Sequence, residues 1–156
     1  MLLKNLELLI LKKLIYLMAA YNKDKVIREI TPLSDKDFFY IADRSKSEFT
    51  YPIHSHAEYE LNFTENAKGV RRIVGDSVEV IGDYDLVLVS SKDLEHVLEQ
   101  HECKSGRVRE ITIQFSPDIF EKNFVNKSQF DSIRKMLVKG QKGMAFPMSA
   151  IMKVYP

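Results

Sequence analysis

His54 and His56 flank Ser55, so on an extended backbone both imidazoles project from one face. Glu60 follows four positions after His56 with the same parity. Two ring nitrogens and a carboxylate on neighbouring positions begin a site for Zn²⁺, Fe²⁺, Mn²⁺ or Ni²⁺, and the pattern does not choose among them. His96 lies far along the chain but opens a later β segment. A barrel that sets this segment beside the first completes a set of three histidines and one glutamate. Such a site requires neutral imidazoles and an ionised Glu60, so its affinity falls on acidification. Two alternatives stand beside it: a metal-free effector pocket that reuses the same polar face, and unrelated surface or structural hydrogen bonding.

Other residues offer less specific chemistry. Tyr51, Tyr59, Phe63 and Tyr84 present rings, with hydroxyls on the tyrosines, against which a sugar or another small organic effector could pack. Aromatics at alternating positions more often fill a β core, and of these residues Tyr84 joins His54, His56, Glu60 and His96 in the candidate ligand set. Arg71 and Arg72 suit either an anionic ligand or, more simply, a solvated charge pair. Cys103 lies in QHECKSGR with no general base beside it and reads as an ordinary free thiol. No residue is assigned a catalytic role.

These side chains need a scaffold, and from Val26 to Phe115 the pattern is one of short β segments. They are VIREI (26–30), FFYIA (38–42), EFTYPI (48–53), YELNFT (59–64), VRRIV (70–74), SVEVI (77–81), DLVLV (85–89), HVLEQ (96–100) and EITIQF (110–115). Short strands at this spacing predict a sandwich or barrel rather than a parallel α/β sheet. Tyr59, Leu61 and Phe63 share one face of their strand, opposite Glu60, Asn62 and Thr64, and Leu86 to Val89 is apolar enough to be buried on both faces. After Pro117 the period lengthens. A short helix is expected over 118–125, then a second one N-capped by Ser128, with the stripe Phe130, Ile133, Met136 and Leu137 and Gly140 as C-cap. Another helix is expected to begin near 146–149, where the chain stops as if cut.

Composition narrows the class. The chain has 156 residues, 45% hydrophobic and 29% charged, with six Gly and five Pro, which excludes a disordered tail and collagen. A single cysteine cannot staple a secreted fold, so a reducing cytoplasm is expected. Residues 1–25 carry a charge of +3, residues 26–121 carry −8 and residues 122–156 carry +6. An acidic middle repels a phosphate backbone and is not a DNA-reading surface. The first eighteen residues hold thirteen apolar ones, interrupted by Lys4, Glu7, Lys12 and Lys13, which suits neither a membrane span nor a signal peptide. This segment reads as a wrongly started or non-native extension ahead of Met18, as a packed or interface helix, or, least, as a membrane contact; no membrane partner is expected.

The stretch HSHAEYE resembles the first metal-ligand motif of the cupin superfamily, His-x-His-x3-Glu, and His96 after GDYDLVLVSSKDLE sits where the second motif supplies its histidine. The succession REITPLSDKDFFYIADR, HSHAEYELNFTENAKGVRRIVGDS, GDYDLVLVSSKDLEH and REITIQF is similar to the N-terminal effector-binding domain of AraC-type transcription regulators, over roughly residues 26–156. The chain departs from the generic motif where Ala67 stands in place of a glycine, with Gly69 two residues on, and where Glu95 precedes His96. The resemblance implies a mainly β, cupin-like antiparallel jelly-roll barrel over 26–115 with C-terminal helices over 116–156. It implies a non-enzymatic domain that senses a small molecule, in the simplest case a sugar, and needs no cofactor. It further implies a homodimer formed through a barrel edge or the 130–137 stripe, with DNA contacted by a helix-turn-helix domain outside this chain. The alternative is a metal-dependent cupin enzyme, such as an oxygenase or sugar isomerase, with the metal held by His54, His56, Glu60 and His96.

Overall fold

The computed structural model describes residues 26–34, 36–119 and 127–155. The apolar segment 1–25 and most of the helix expected over 118–125 lie outside the described residues; within them, Pro117–Ile119 forms a 3₁₀ turn. The protein is mainly β, two antiparallel-rich sheets in a jelly-roll-like arrangement with two short C-terminal helices. The first sheet runs β1 (Ile27–Arg28), β3 (His54–Ser55), β8 (His96–Glu99), β5 (Arg71–Val74) and β6 (Ser77–Val80). The second runs β10 (Met144–Ala145), β7 (Tyr84–Val89), β4 (Tyr59–Glu65), β9 (Val108–Phe115) and β2 (Phe39–Lys46). All pairs are antiparallel except β1 with β3.

The strand expected at 48–53 does not form. Pro52 has no N–H to give a ladder, and the Phe49 N–H donates to the Gln100 side chain instead, so these residues run as a loop over the pocket. In compensation β2 extends to Lys46, because β9 is long enough to pair with it through Lys46 and Val108. Strand β10, unforeseen in the sequence, pairs Met144 and Ala145 with Leu88 and Val87.

The decisive feature is which face points inward. On β4 the buried positions are Glu60, Asn62 and Thr64, and on β9 they include Glu110, Thr112 and Gln114. Tyr59, Leu61 and Phe63 lie half-buried on the outer face, so the expectation that these aromatics fill the core is corrected. Apolar packing is split between two small clusters, one of which borders the inter-sheet cavity. One cluster joins Ala67, Val70, Ile81, Cys103 and Val108, and another joins Val74, Val87 and Val89. The displaced glycine has a reason: Gly69 has φ +90°, and a Cβ there would lie 2.8 Å from the Glu102 carbonyl carbon.

Leu86 and Leu88, on the outer face of β7, are buried, as the continuous apolar run implied. Helix α1 (Asp131–Gly140) follows a 3₁₀ turn opened by Ser128 and has no side-chain N-cap, so Ser128 does not cap it. Gly140 is the last helical residue, and its carbonyl accepts from the Ser90 N–H at 2.9 Å. A Cβ there would meet Ser90 Oγ at 2.6 Å and Leu88 at 2.9 Å, so the glycine permits close packing of helix on sheet rather than a left-handed cap. Helix α2 (Met148–Val154) anchors itself through buried Ile151. Among the described residues no helix is long and apolar enough to cross a membrane.

Candidate functional site

The sheet register assembles the histidines. Strand β3 pairs with β8 so that His54 and His96 are direct cross-strand partners, and the chain then turns through His56 into β4, which carries Glu60 on the opposite sheet. Ring centroids lie 4.4 Å apart for His54 and His96, 4.9 Å for His56 and His96, and 6.0 Å for His54 and His56. One nitrogen from each ring falls within 4.8 Å of the others. Glu60 closes the group from below: its Oε2 lies 3.0 Å from His56 Nε2 and its Oε1 3.9 Å from His96 Nε2.

Backbone carbonyls orient all three rings. His54 Nδ1 contacts Pro52 O at 2.9 Å, His56 Nδ1 contacts Glu58 O at 3.0 Å, and His96 Nδ1 contacts Leu94 O at 2.9 Å. A carbonyl only accepts, so each Nδ1 carries the proton and each Nε2 turns toward the shared centre. Burial, and for His54 also the neighbouring charge of His96, holds the His54 imidazole below its ordinary range; burial does the same for His96. Both are neutral near pH 7, with Nε2 lone pairs free to ligate. For His56 burial alone would act downward, but the hydrogen bond and charge of Glu60 raise it above 6.5. Burial would likewise raise Glu60, yet the His56 hydrogen bond, the imidazole charges and the Gln114 amide hold it down to about 2.

The donor set fits a divalent cation. His96 is buried, and among the described residues its Nε2 has no hydrogen-bond partner. A ring nitrogen left bare between two histidines and a carboxylate is costly to bury unless a cation or a hydrogen-bond donor completes it. His54, His56 and His96 would hold such an ion with Glu60, and nothing in three nitrogens and one oxygen selects among the first-row metals.

The site forms one end of a cavity of about 500 Å³ between the sheets. Its wall is mixed, with Val74, Val87, Val89 and Val97 on one part and a polar network on another: Gln114 donates to Glu60, and Asn62 donates both to Glu110 and to Thr112 at 3.2 Å. Lys46 pairs with Glu110, and Arg72 reaches from β5 across to Asp85 on β7 while also holding Glu79. Arg72 is therefore a buried bridge between the sheets, not part of a solvated pair, while Arg71 pairs with Glu99. Tyr51 does line the cavity, its ring edge-on to His54 at 4.7 Å.

Of the ligand set read from the sequence, His54, His56, Glu60 and His96 come together. Tyr84 does not join them; it packs with Phe63 and Tyr155 on the outer face of the second sheet, because its parity on β7 matches that of Leu86 and Leu88. Sequence reasoning passed over Glu29, Asn62, Glu110, Thr112 and Gln114, all of which line the cavity. The signal for four of these was present, since a Glu60 that faces inward carries Asn62 with it, and EITIQF alternates in the same way. No family model matches this chain, and no curated protein matches it.

Proposed function

We propose that this chain is the small-molecule-sensing and dimerisation barrel of an AraC-type transcription regulator. The observation that supports this reading most is the interior itself. Beside Val74, Val87, Val89 and Val97, the space between the sheets is lined by Glu60, Asn62, Glu110, Thr112 and Gln114 at positions where a structural sandwich would carry apolar residues, and its volume suits a small polar molecule such as a sugar. An effector that binds one arrangement of barrel or subunits more tightly shifts the population of a DNA-binding form, and DNA contact belongs to a domain outside this chain. Calorimetric titration with a panel of monosaccharides and small hydroxy acids tests the reading. It expects one class to bind and Asn62→Ala to weaken that binding; a panel without binding, or binding indifferent to Asn62→Ala, counts against it. Sedimentation is expected to show twice the 18.1 kDa mass of one chain.

A second reading, a metal-dependent cupin enzyme such as an oxygenase or sugar isomerase, is favoured by the bare Nε2 of His96. When bound, a divalent ion supplies Lewis acidity that polarises an oxygen of the ligand. The chain's own residues orient that ligand through Gln114, Asn62 and Thr112 and limit access through Tyr51. Oxygen uptake or aldose–ketose interconversion by metal-loaded protein, lost in His96→Ala, would replace the sensor reading with this one.

A further inference from the structure

The fourth wall of the histidine cluster comes from outside the motif. Strand β1 lies parallel to β3 with Ile27 opposite His54 and Arg28 opposite Ser55, and the Glu29 N–H donates to Ser55 O at 2.9 Å. Side chains on either side pin this strap. Arg28 donates to Ser55 Oγ at 3.2 Å and reaches Asp93, while buried Thr31 donates to Glu58 Oε2 at 2.9 Å. Held between them, Glu29 sets its Oε2 3.4 Å from His54 Nε2. Among the described residues no Lys or Arg makes an ion pair with Glu29.

We propose that Glu29 is a second carboxylate ligand, making this a site of three histidines and two carboxylates; the inference rests on the reading of the cluster as a metal centre. The geometry supplies the reason. His54 commits its Nδ1 proton to Pro52 O, so its Nε2 faces Glu29 with a lone pair, and an ionised carboxylate offers only lone pairs in return. Two acceptors 3.4 Å apart repel unless a cation or a proton lies between them. The same opposition recurs at His96 Nε2 and Glu60 Oε1, 3.9 Å apart. Two carboxylates thus border the three-histidine group, Glu60 against His56 and His96, Glu29 against His54. Two carboxylates neutralise a divalent ion in full, and a fifth protein ligand suits ions that take five or six donors over the four-coordinate geometry usual for zinc. Mn²⁺, Fe²⁺ and Ni²⁺ gain from Glu29; Zn²⁺ gains little.

The test is calorimetric titration of metal-stripped protein with Mn²⁺ and, separately, Zn²⁺, in wild type, Glu29→Gln and His96→Ala. Far-UV circular dichroism checks that each variant retains the wild-type fold. Glu29→Gln is expected to weaken Mn²⁺ binding by about tenfold or more while changing Zn²⁺ binding far less. In Co²⁺-loaded protein the visible absorption is expected to intensify in Glu29→Gln as the coordination number drops. Metal binding abolished by His96→Ala but unaltered by Glu29→Gln overturns the role of Glu29 and leaves the metal centre standing. Equal losses for Mn²⁺ and Zn²⁺ with an unchanged Co²⁺ spectrum reduce Glu29 to a distant charge and also overturn it. Wild type that binds neither ion overturns the metal reading and this inference together.

Discussion

The two ends of the cavity use the same kinds of residue to opposite effect. At the far end Arg72 meets Asp85 and Glu79, and Lys46 meets Glu110, which Asn62 also holds, so each of these charges has a partner within the protein. Thr64 Oγ1 is the exception, a neutral hydroxyl that among the described residues has no hydrogen-bond partner. At the near end each of three imidazoles gives its Nδ1 proton to a backbone carbonyl; His56 also donates to Glu60, while His54 and His96 turn bare Nε2 atoms toward the cluster and its two carboxylates. Ionic groups that complete one another bridge the sheets. Those that leave lone pairs converging prepare a place for something else.

The comparison breaks most visibly at Arg72. Arg72→Met removes the buried cation that half-buried Asp85 pairs with and is expected to cost about 3 kcal/mol of stability, read from urea unfolding. A loss under ~1 kcal/mol would show that the far end does not hold the sheets together.

Next in size is the metal-dependent part of stability. Saturating Ni²⁺ or Mn²⁺, at about a hundred times its dissociation constant, is expected to add roughly 2.7 kcal/mol to wild type and nothing to His96→Ala. Equal stabilisation of both proteins would place the ion elsewhere.

The pH dependence separates the two states of the near end. Without metal, His56 donates from both ring nitrogens, to Glu58 O and to Glu60, so binding an ion must release a proton from it. Affinity is therefore expected to rise about tenfold per pH unit until pH passes the raised value of His56, and then to level. Heats measured in buffers of different ionisation enthalpy report the proton directly. In the metal-free protein the signs differ. The His56 contribution to stability is complete below pH 6.5 and is lost as pH climbs through its raised value. The Glu60 contribution is present above pH 4.5 and is lost as pH falls toward about 2.

Smallest of all is the effect expected at Tyr84. Tyr84→Phe removes a hydroxyl from the outer face and is expected to leave metal and effector titrations unchanged, with stability within about 0.5 kcal/mol. A weakened titration would return Tyr84 to the site.

Much of the site was legible because parity is local. His54 and His56 two residues apart share a side of any extended backbone; Glu60 joins them not by parity but because the chain bends at 57–58 into the opposite sheet. The same rule separated Glu60, Asn62 and Thr64 from Tyr59, Leu61 and Phe63, and it identified most of the strands that formed. It failed at 48–53, where Pro52 and a side-chain acceptor outweighed β-prone residues, and at β10, a two-residue pairing too short to leave a pattern. Gly140 was singled out correctly as special, but for the wrong reason, since the atoms it must avoid belong to Ser90 and Leu88 some fifty residues earlier.

What the sequence determined by itself was therefore the alternation: which residues travel together on one face of each strand, because the backbone repeats every two residues regardless of its neighbours. Only the tertiary structure decided which of those faces turns inward. A polar interior is stable when its groups meet partners across the sheets, as Asn62 meets Glu110 and Arg72 meets Asp85, and such partners are set by long-range register. Register also placed His96 opposite His54 and laid β1 beside β3, bringing Glu29 to a cluster twenty-five residues away in the chain.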